Sequence, residues 1–189
     1  MILLLAILAG LLVGLVRARL RGRSYGVPPL RFLWLALIAF LPQFFAFYLP
    51  VTRDSMPDAW AAASLIISQV LLLAFAWLNR KLAGMPLLAC GLALNLVVIT
   101  ANGGFMPISP ETAAHLAPAF AALQPGSRFG TKDILLPPEN TRLAWLADRF
   151  LLPDWSPYNV AFSLGDMLIA VGVFWLLATQ ETPLNLPKP

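Results

Sequence analysis

Charged residues, cysteine and histidine are all scarce in this chain of 189 residues. Charged residues make up 12% of the sequence, about half of their usual share, while hydrophobic residues make up 59%. So few charges cannot cover the surface of a soluble fold, which excludes a cytosolic enzyme and an ordinary secreted domain. The lone Cys90 excludes an intrachain disulfide, and the lone His115 excludes multi-histidine zinc and bis-histidine haem sites. We expect no cofactor and no metal.

The sequence contains long apolar runs, which predict an all-α membrane protein. Residues 1–189 are expected to form a single membrane domain. Its five transmembrane helices are predicted over about 2–16, 30–49, 59–78, 85–101 and 158–178.

The segment 102–157 separates the fourth and fifth predicted helices and is too long to be a mere link. Ser109-Pro110-Glu111 is typical of a helix start and predicts a helix over 110–123, bent by Pro118. An apolar face predicts a second helix near 139–151. We therefore expect a partly helical, extracytoplasmic cap.

Basic residues are distributed unevenly between the loops, which predicts the orientation. The loops 17–31 and 79–84 with the C-terminal tail hold eight basic residues and one acid, whereas the other side holds five basic and seven acidic residues. The positive-inside rule places the N-terminus outside and the C-terminus in the cytoplasm. Anionic lipid headgroups are the expected partners of the juxtamembrane arginines, and no basic surface suits nucleic acid. These arginines are Arg17, Arg19, Arg21 and Arg23.

Small residues recur every four positions on the first helix, where Gly10 and Gly14 lie between Ala6 and Ala18. Such a stripe lets two helix backbones approach closely. Two alternatives follow from it. The stripe packs within the protein's own bundle, or it contacts a second subunit or another membrane protein.

Asp166 is the only acid inside a predicted span, and ionisable groups at membrane depth are functional candidates. Helix geometry places Asp166 about 12 Å along the last helix, with Asn95 and Gln43 at similar depth on other helices. Ser163 shares a helix face with Asp166. This polar layer either holds the helices in register or lines an outward-facing pocket. In both cases we expect Asp166 to contact Asn95 or the backbone of residues 102–104.

The stretch Asn102-Gly103-Gly104 ends the fourth predicted helix, and Met106-Pro107 prevents its continuation. These residues form a helix stop, or a turn whose glycines let backbone approach a ligand or Asp166.

This chain resembles a family of small bacterial multi-span membrane proteins that is described only as a domain of unknown function. The resemblance rests on the pattern Asn-Gly-Gly-x-Met-Pro and on the Ser-x-Gly-Asp segment of Ser163, Gly165 and Asp166. It extends over most of the chain. Further matches are Leu135, Leu136, Thr141, Leu143, Leu146 and Asp148, and departures are Asp133, where the family has His, and Ala147, where it has Gly. The resemblance implies a bacterial plasma-membrane protein without an established activity.

The sequence offers no catalytic set, so we expect no enzyme. Ser163-Leu164-Gly165-Asp166 is similar to the Gly-x-Gly-Asp of intramembrane aspartyl proteases, but its first glycine and a second intramembrane aspartate are missing. The first hypothesis is a non-catalytic assembly or scaffold component of the membrane. The alternative is outward-facing binding or transport of a small solute, ion or lipid headgroup by the layer around Asp166.

Overall fold

A computed structural model describes residues 1–53, 55–117, 124–153, 156 and 158–182 of the protein. The fold is mostly helical, with short strands in its loops. The helices are α1 (Ile2–Leu20), α2 (Leu33–Gln43), α3 (Pro50–Arg53), α4 (Asp58–Leu78), α5 (Met85–Ala101), α6 (Pro110–Leu116) and α7 (Leu164–Ala178). The strands are β1 (Ser24–Tyr25), β2 (Met106–Ile108), β3 (Arg128–Phe129), β4 (Asp133–Leu135), β5 (Phe150–Leu151), β6 (Ala161–Phe162) and β7 (Glu181–Thr182).

The long helices pack in an order different from their order along the chain. Helix α7 lies between α1 and α5, and α4 lies between α5 and α2. Among the described residues, two helices, α1 and α4, are long and apolar enough to cross a membrane by length and composition. Three further apolar helices are shorter: α5, α7, and α2 with the π-helical turn Phe44–Tyr48 that follows Pro42. Helical structure thus occupies all five predicted apolar segments.

One end of the molecule gathers three segments that the charge pattern assigned to one side. Strand β1, after α1, pairs with β7, after α7. Glu181 in β7 binds Arg17 at 2.8 Å, Arg21 at 3.0 Å and Arg23 at 3.1 Å. The Asn79 side chain, after α4, accepts a hydrogen bond from the Arg31 backbone N–H at 2.8 Å and donates to the Arg31 carbonyl oxygen at 3.0 Å. We call this end of the molecule the basic end.

Among the described residues, two apolar clusters lie along the bundle, and a third lies within the cap around Ile108 and Phe129. One lies beside the 102–157 segment and contains Phe47, Leu65, Ile99, Met106 and Leu146. The other lies toward the basic end and contains Phe75, Met85, Leu88, Leu92 and Leu176. The first cluster joins the cap to the helices, so the cap is packed onto the bundle rather than tethered to it.

The prediction of an all-α protein was wrong for the cap, which contains a small sheet. Strand β4 lies in the middle, parallel to β2 and antiparallel to β3. Strands β5 and β6 form a separate antiparallel pair. Asp148 joins the edge of the larger sheet, because its backbone N–H donates to the Pro107 carbonyl oxygen at 3.1 Å.

The predicted helix near 139–151 was also wrong; two short 3-10 turns, Pro138–Asn140 and Ala144–Leu146, occur there instead. The Asn102 side chain binds both the N–H and the carbonyl oxygen of Arg142, each at 2.9 Å, which an α-helix would use internally. Leu143 has a left-handed backbone with φ of 56°, which also interrupts a helix. The predicted helix 110–123 ends at Leu116, and its residues 118–123 with Pro118 lie outside the described residues.

The last apolar helix begins at Leu164 rather than at residue 158. Ala161 and Phe162 are extended and pair with β5, and Ser163 is the N-cap of α7. The Ser163 hydroxyl accepts the Asp166 N–H at 3.0 Å, and Asp166 accepts the Ser163 N–H at 3.2 Å. This reciprocal capping box fixes the start of the helix.

Candidate functional site

Asp166 contacts Asn95, as the sequence predicted. The Asn95 amide donates to Asp166 Oδ1 at 2.8 Å, and the Ser163 hydroxyl donates to Asn95 Oδ1 at 2.9 Å. Asp166 Oδ2 accepts the Ser163 backbone N–H. Both carboxylate oxygens of Asp166 therefore have partners, and the network ties the start of α7 to the middle of α5.

The predicted depth of Asp166, about 12 Å along its helix, was wrong. Asp166 is the third residue of α7 because the helix starts at Leu164. The carboxylate consequently lies in the first turn, where a negative charge also interacts favourably with the helix dipole. Asp166 belongs to the junction between the cap and the bundle.

Two glycines allow the Asp166 network to form. A Cβ atom on Gly165 would lie 2.0 Å from Asn95 Oδ1, and one on Gly91 would lie 2.5 Å from the Gly165 carbonyl oxygen. Any larger residue would therefore separate α5 from α7. The glycines set the distance across which Asn95 and Asp166 bond.

The remaining residues of the predicted polar layer lie elsewhere. Gln43 Nε2 donates to the Ser68 hydroxyl at 2.5 Å, which joins α2 to α4, and no hydrogen bond within the described residues links this pair to Asp166. Asn102 caps α5 by donating to the Val98 carbonyl oxygen at 2.8 Å and also holds Arg142. Gly103 and Gly104 have φ of 78° and 92°, which favours glycine, and a Cβ on Gly104 would lie 2.4 Å from the Ala62 Cβ.

The small-residue stripe of α1 is covered by α7. A Cβ atom added to Gly10 would lie 2.9 Å from the Phe174 carbonyl oxygen, and a Cβ on Gly14 would lie 2.5 Å from that of Leu177. Tyr25 closes the same contact, because its hydroxyl donates to the Leu177 carbonyl oxygen at 3.1 Å. Of the two alternatives for the stripe, the structure has packing within one chain.

A buried ion pair in the cap was not predicted from the sequence. Lys132 Nζ lies 2.7 Å from Asp148 Oδ2 and 3.5 Å from Asp133 Oδ1. The Asp148 side chain is 2% exposed, whereas that of Lys132 is 34% exposed. Asp148 Oδ1 and Asp133 Oδ1 are both buried and have no hydrogen-bond partner. A buried carboxylate oxygen without a donor is costly, so it calls for an explanation.

Burial and mutual repulsion keep these carboxyl groups from ionising easily. Burial raises the pKa of Asp148 to about 7; Lys132 opposes this rise, whereas Asp133 and Asp166 add to it. Burial likewise raises the pKa of Asp133, again against the effect of Lys132. Burial alone would lower the pKa of Lys132, but Asp133, Asp148 and Asp166 outweigh it and raise that pKa well above its usual value. Lys132 therefore stays charged, while Asp148 titrates near neutral pH and can accept or donate a hydrogen bond.

A pocket of about 470 Å³ opens in the cap beside Asp148. Some of its lining residues belong to α6 and its N-cap Ser109, and the others belong to the two 3-10 turns and the residues that follow them. Its polar lining residues are Ser109, Glu111, Thr112, His115, Thr141, Asp148 and Arg149, and its apolar ones are Pro138, Ala144, Ala147 and Leu151. Within the described residues, no group of three or more His, Cys, Asp or Glu side chains can hold a metal ion. The arrangement suits hydrogen bonding to a small polar molecule.

The Asp166 network predicts unequal effects for two substitutions. Asp166→Ala removes both acceptors and should lower the free energy of unfolding by about 1–3 kcal/mol. Asp166→Asn should cost less, because a rotated Asn95 amide can present its oxygen to the new amide group while its nitrogen donates to Ser163. Thermal unfolding of the two variants in detergent measures the difference. Equal losses would contradict the pairing described above.

Comparison with known proteins places the chain in one family. An uncharacterized protein of Thermotoga maritima is 26% identical over 136 residues, which cover 69% of this chain and 70% of the relative. No solved structure matches the chain. The model of the DUF5317 family, described as a family of unknown function, matches residues 28–178. This range includes the Asn-Gly-Gly-x-Met-Pro and Ser-x-Gly-Asp segments, and the protein belongs to the DUF5317 family.

Proposed function

We propose that the protein is a multi-span bacterial plasma-membrane protein that binds a small polar solute, without transforming it, in a cap facing the outside. All five apolar helices cross the membrane in this proposal, with the N-terminus outside and the C-terminus in the cytoplasm. Support comes from the length of α1 and α4 and from the basic residues gathered at the end opposite the cap. The shorter helices are compatible with spanning where polar or aromatic flanks extend them.

The observation that carries the binding proposal is the cap pocket, whose lining includes Asp148, a residue with one buried and unpartnered carboxylate oxygen. Folding leaves this oxygen without a donor, although Lys132 satisfies Oδ2. Solvent does not reach Oδ1 in this structure, so a ligand that donates an N–H or O–H group would supply the missing bond after a small movement of the pocket wall. The cost of desolvating Asp148 would then be offset when the pocket is filled.

The lining defines the chemistry of the ligand. Glu111 and Asp148 favour an ammonium, amide or hydroxyl donor, while Arg149 and the Ser109 and Thr112 hydroxyls can bind acceptor atoms. Both signs of charge occur within one small pocket, so a solute with donor and acceptor groups fits better than a simple ion. The pocket volume suits a molecule of metabolite size.

The scaffold hypothesis receives less support. Its sequence evidence was the Gly10–Gly14 stripe, the large outer segment and the absence of a catalytic set, and α7 covers the stripe within the same chain. The binding site is proposed at the pocket beside Asp148 instead of the Asp166 layer, because both Asp166 oxygens already have partners. In this proposal the hydrogen bonds of Asp166 hold the cap against α5 and α7.

Thermal unfolding of the detergent-purified protein tests the proposal with a panel of amino acids, polyols, amines and carboxylates. A compound that binds should stabilise the protein by about 2.7 kcal/mol at a hundredfold excess over its Kd. Ala144→Phe, which fills the pocket, and Glu111→Gln should weaken this stabilisation. Glu139→Gln is the matched control, since Glu139 is an exposed cap glutamate outside the pocket lining. The proposal fails if no class of compound stabilises the protein or if Ala144→Phe responds like the wild type.

A further inference from the structure

A long apolar groove runs between α4 and α5 on the half of the bundle remote from the cap. Its volume is about 810 Å³, and its walls include Val70, Leu73, Trp77 and Ala93. The exposed Cys90 also lines it. Each wall follows its helix for about seven residues, or about 10 Å. The groove ends at Arg80, at the basic end of the molecule.

A second depression starts from the same arginine and takes a different course. It has a volume of about 620 Å³ and passes Pro86 and Leu87 toward Trp175 on α7. A third, of about 530 Å³, lies around Asn79 and contains Arg31, Arg80 and Lys81. We call these three cations the inner basic cluster. The two apolar channels thus share Arg80, Pro86 and Cys90 and then diverge, one along α4 and the other toward α7.

The charge of the inner basic cluster is not neutralised by the groove itself. No acidic residue lines any of the three depressions in the part of the chain that the structure describes. The Arg80 guanidinium lies 4.7 Å from the Trp77 ring centroid and donates to the Trp77 carbonyl oxygen at 3.1 Å, which holds it at the mouth of the groove. By contrast, Arg17, Arg21 and Arg23 are bound to Glu181.

We propose that this surface binds one anionic phospholipid, with its phosphate at Arg80 and Lys81 and its two acyl chains in the two apolar channels. One anionic centre joined to two apolar branches matches the diverging channels, whereas a helix of a partner protein would present one continuous ridge. The site lies at the level where basic residues meet lipid headgroups. It is separate from the cap pocket and does not depend on the solute proposed there.

Cys90 provides a natural reporter, since it lines both apolar channels. The full chain is purified in detergent, and the rate of Cys90 alkylation by a maleimide is measured with added phosphatidylglycerol, phosphatidylcholine or glycerol phosphate. Phosphatidylglycerol at ten times its Kd should slow alkylation by about tenfold, because only the unbound fraction reacts. The other two compounds should protect far less. Native mass spectrometry should show one retained phosphatidylglycerol.

Arg80→Gln combined with Lys81→Gln should abolish the protection, and Arg19→Gln, an exposed arginine outside the three depressions, should retain it. Equal protection by phosphatidylcholine would overturn the proposal, because it would show binding of acyl chains without recognition of the anionic headgroup. Protection by glycerol phosphate alone would overturn the role of the channels. Undiminished protection in the double variant would overturn the role of the basic cluster.

Discussion

Replacing Gly10 and Gly14 together with leucine is expected to detach α1 from α7. Even a Cβ atom would lie 2.9 Å from a backbone oxygen of α7 at Gly10 and 2.5 Å from one at Gly14. The backbone of α7 cannot move aside as a flexible side chain can. Overpacking at two such sites should cost about 3 kcal/mol or more. The midpoint of thermal unfolding in detergent should fall by roughly 6–12 °C for a chain of this size.

Ala9→Leu is the matched control for this pair of substitutions. Ala9 precedes Gly10 on the same helix but is exposed, so added bulk meets no neighbouring helix. The control should unfold within about 0.5 kcal/mol of the wild type. An unchanged midpoint in the double variant would contradict the packing of α1 on α7.

Replacing Lys132 with methionine is expected to be the most damaging change in the cap. It removes the partner of Asp148, which is 2% exposed, while filling much of the same space. Breaking a buried ion pair in this way should cost about 3 kcal/mol, at the low end of the usual range because Lys132 is 34% exposed. Lys81→Met, at an exposed lysine, should leave the free energy of unfolding nearly unchanged.

The cost of Lys132→Met should depend on pH in a definite direction. Lys132 lowers the pKa of Asp148, which is about 7 in the intact protein, so its removal raises that pKa further. Below about pH 5 Asp148 is protonated in both folded proteins, and the difference in stability is smallest. As the pH rises through 7, Asp148 ionises in the folded wild type, where Lys132 stabilises its carboxylate. The variant has no such partner, so the difference in the free energy of unfolding between the two proteins grows. Asp133 and Asp166 remain beside the site in both proteins. A difference that shrinks with rising pH would contradict this electrostatic account.

The helical part of this fold could be predicted because long apolar runs carry a strong signal. The segment 85–101 was placed correctly to the residue, and 59–78 differs from α4 by one residue. The late start of α7 was also readable in principle, because Ser163 and Asp166 have the spacing of a capping box. Apolarity alone predicts an earlier start, because it continues through the extended residues before Ser163.

The cap could not be predicted in the same way. Its strands have two or three residues each, too few to show an alternating pattern. In addition, β2 pairs with β4, which lies far from it in the sequence. The sequence predicts Lys132 and Asp148 only as loop charges on the outer side, because nothing local shows that they meet. The immediate neighbours give no such signal, because Lys132 lies between Thr131 and Asp133 and Asp148 lies between Ala147 and Arg149. Depth along a helix also predicted one polar layer. Gln43 instead bonds across α2 and α4 and Asp166 across α7 and α5, and no hydrogen bond joins the two pairs in the described part of the chain.

The most direct test of the central claim is whether the cap pocket is accessible from outside the membrane. Ala144→Cys lines the pocket and Arg19→Cys lies at the basic end, and each is made in a Cys90→Ala background. A membrane-impermeant maleimide is applied to right-side-out membrane vesicles. We predict that Ala144→Cys is labelled and that Arg19→Cys is labelled only after the vesicles are opened. Labelling of Arg19→Cys with protection of Ala144→Cys would place the pocket on the inner side and contradict the account.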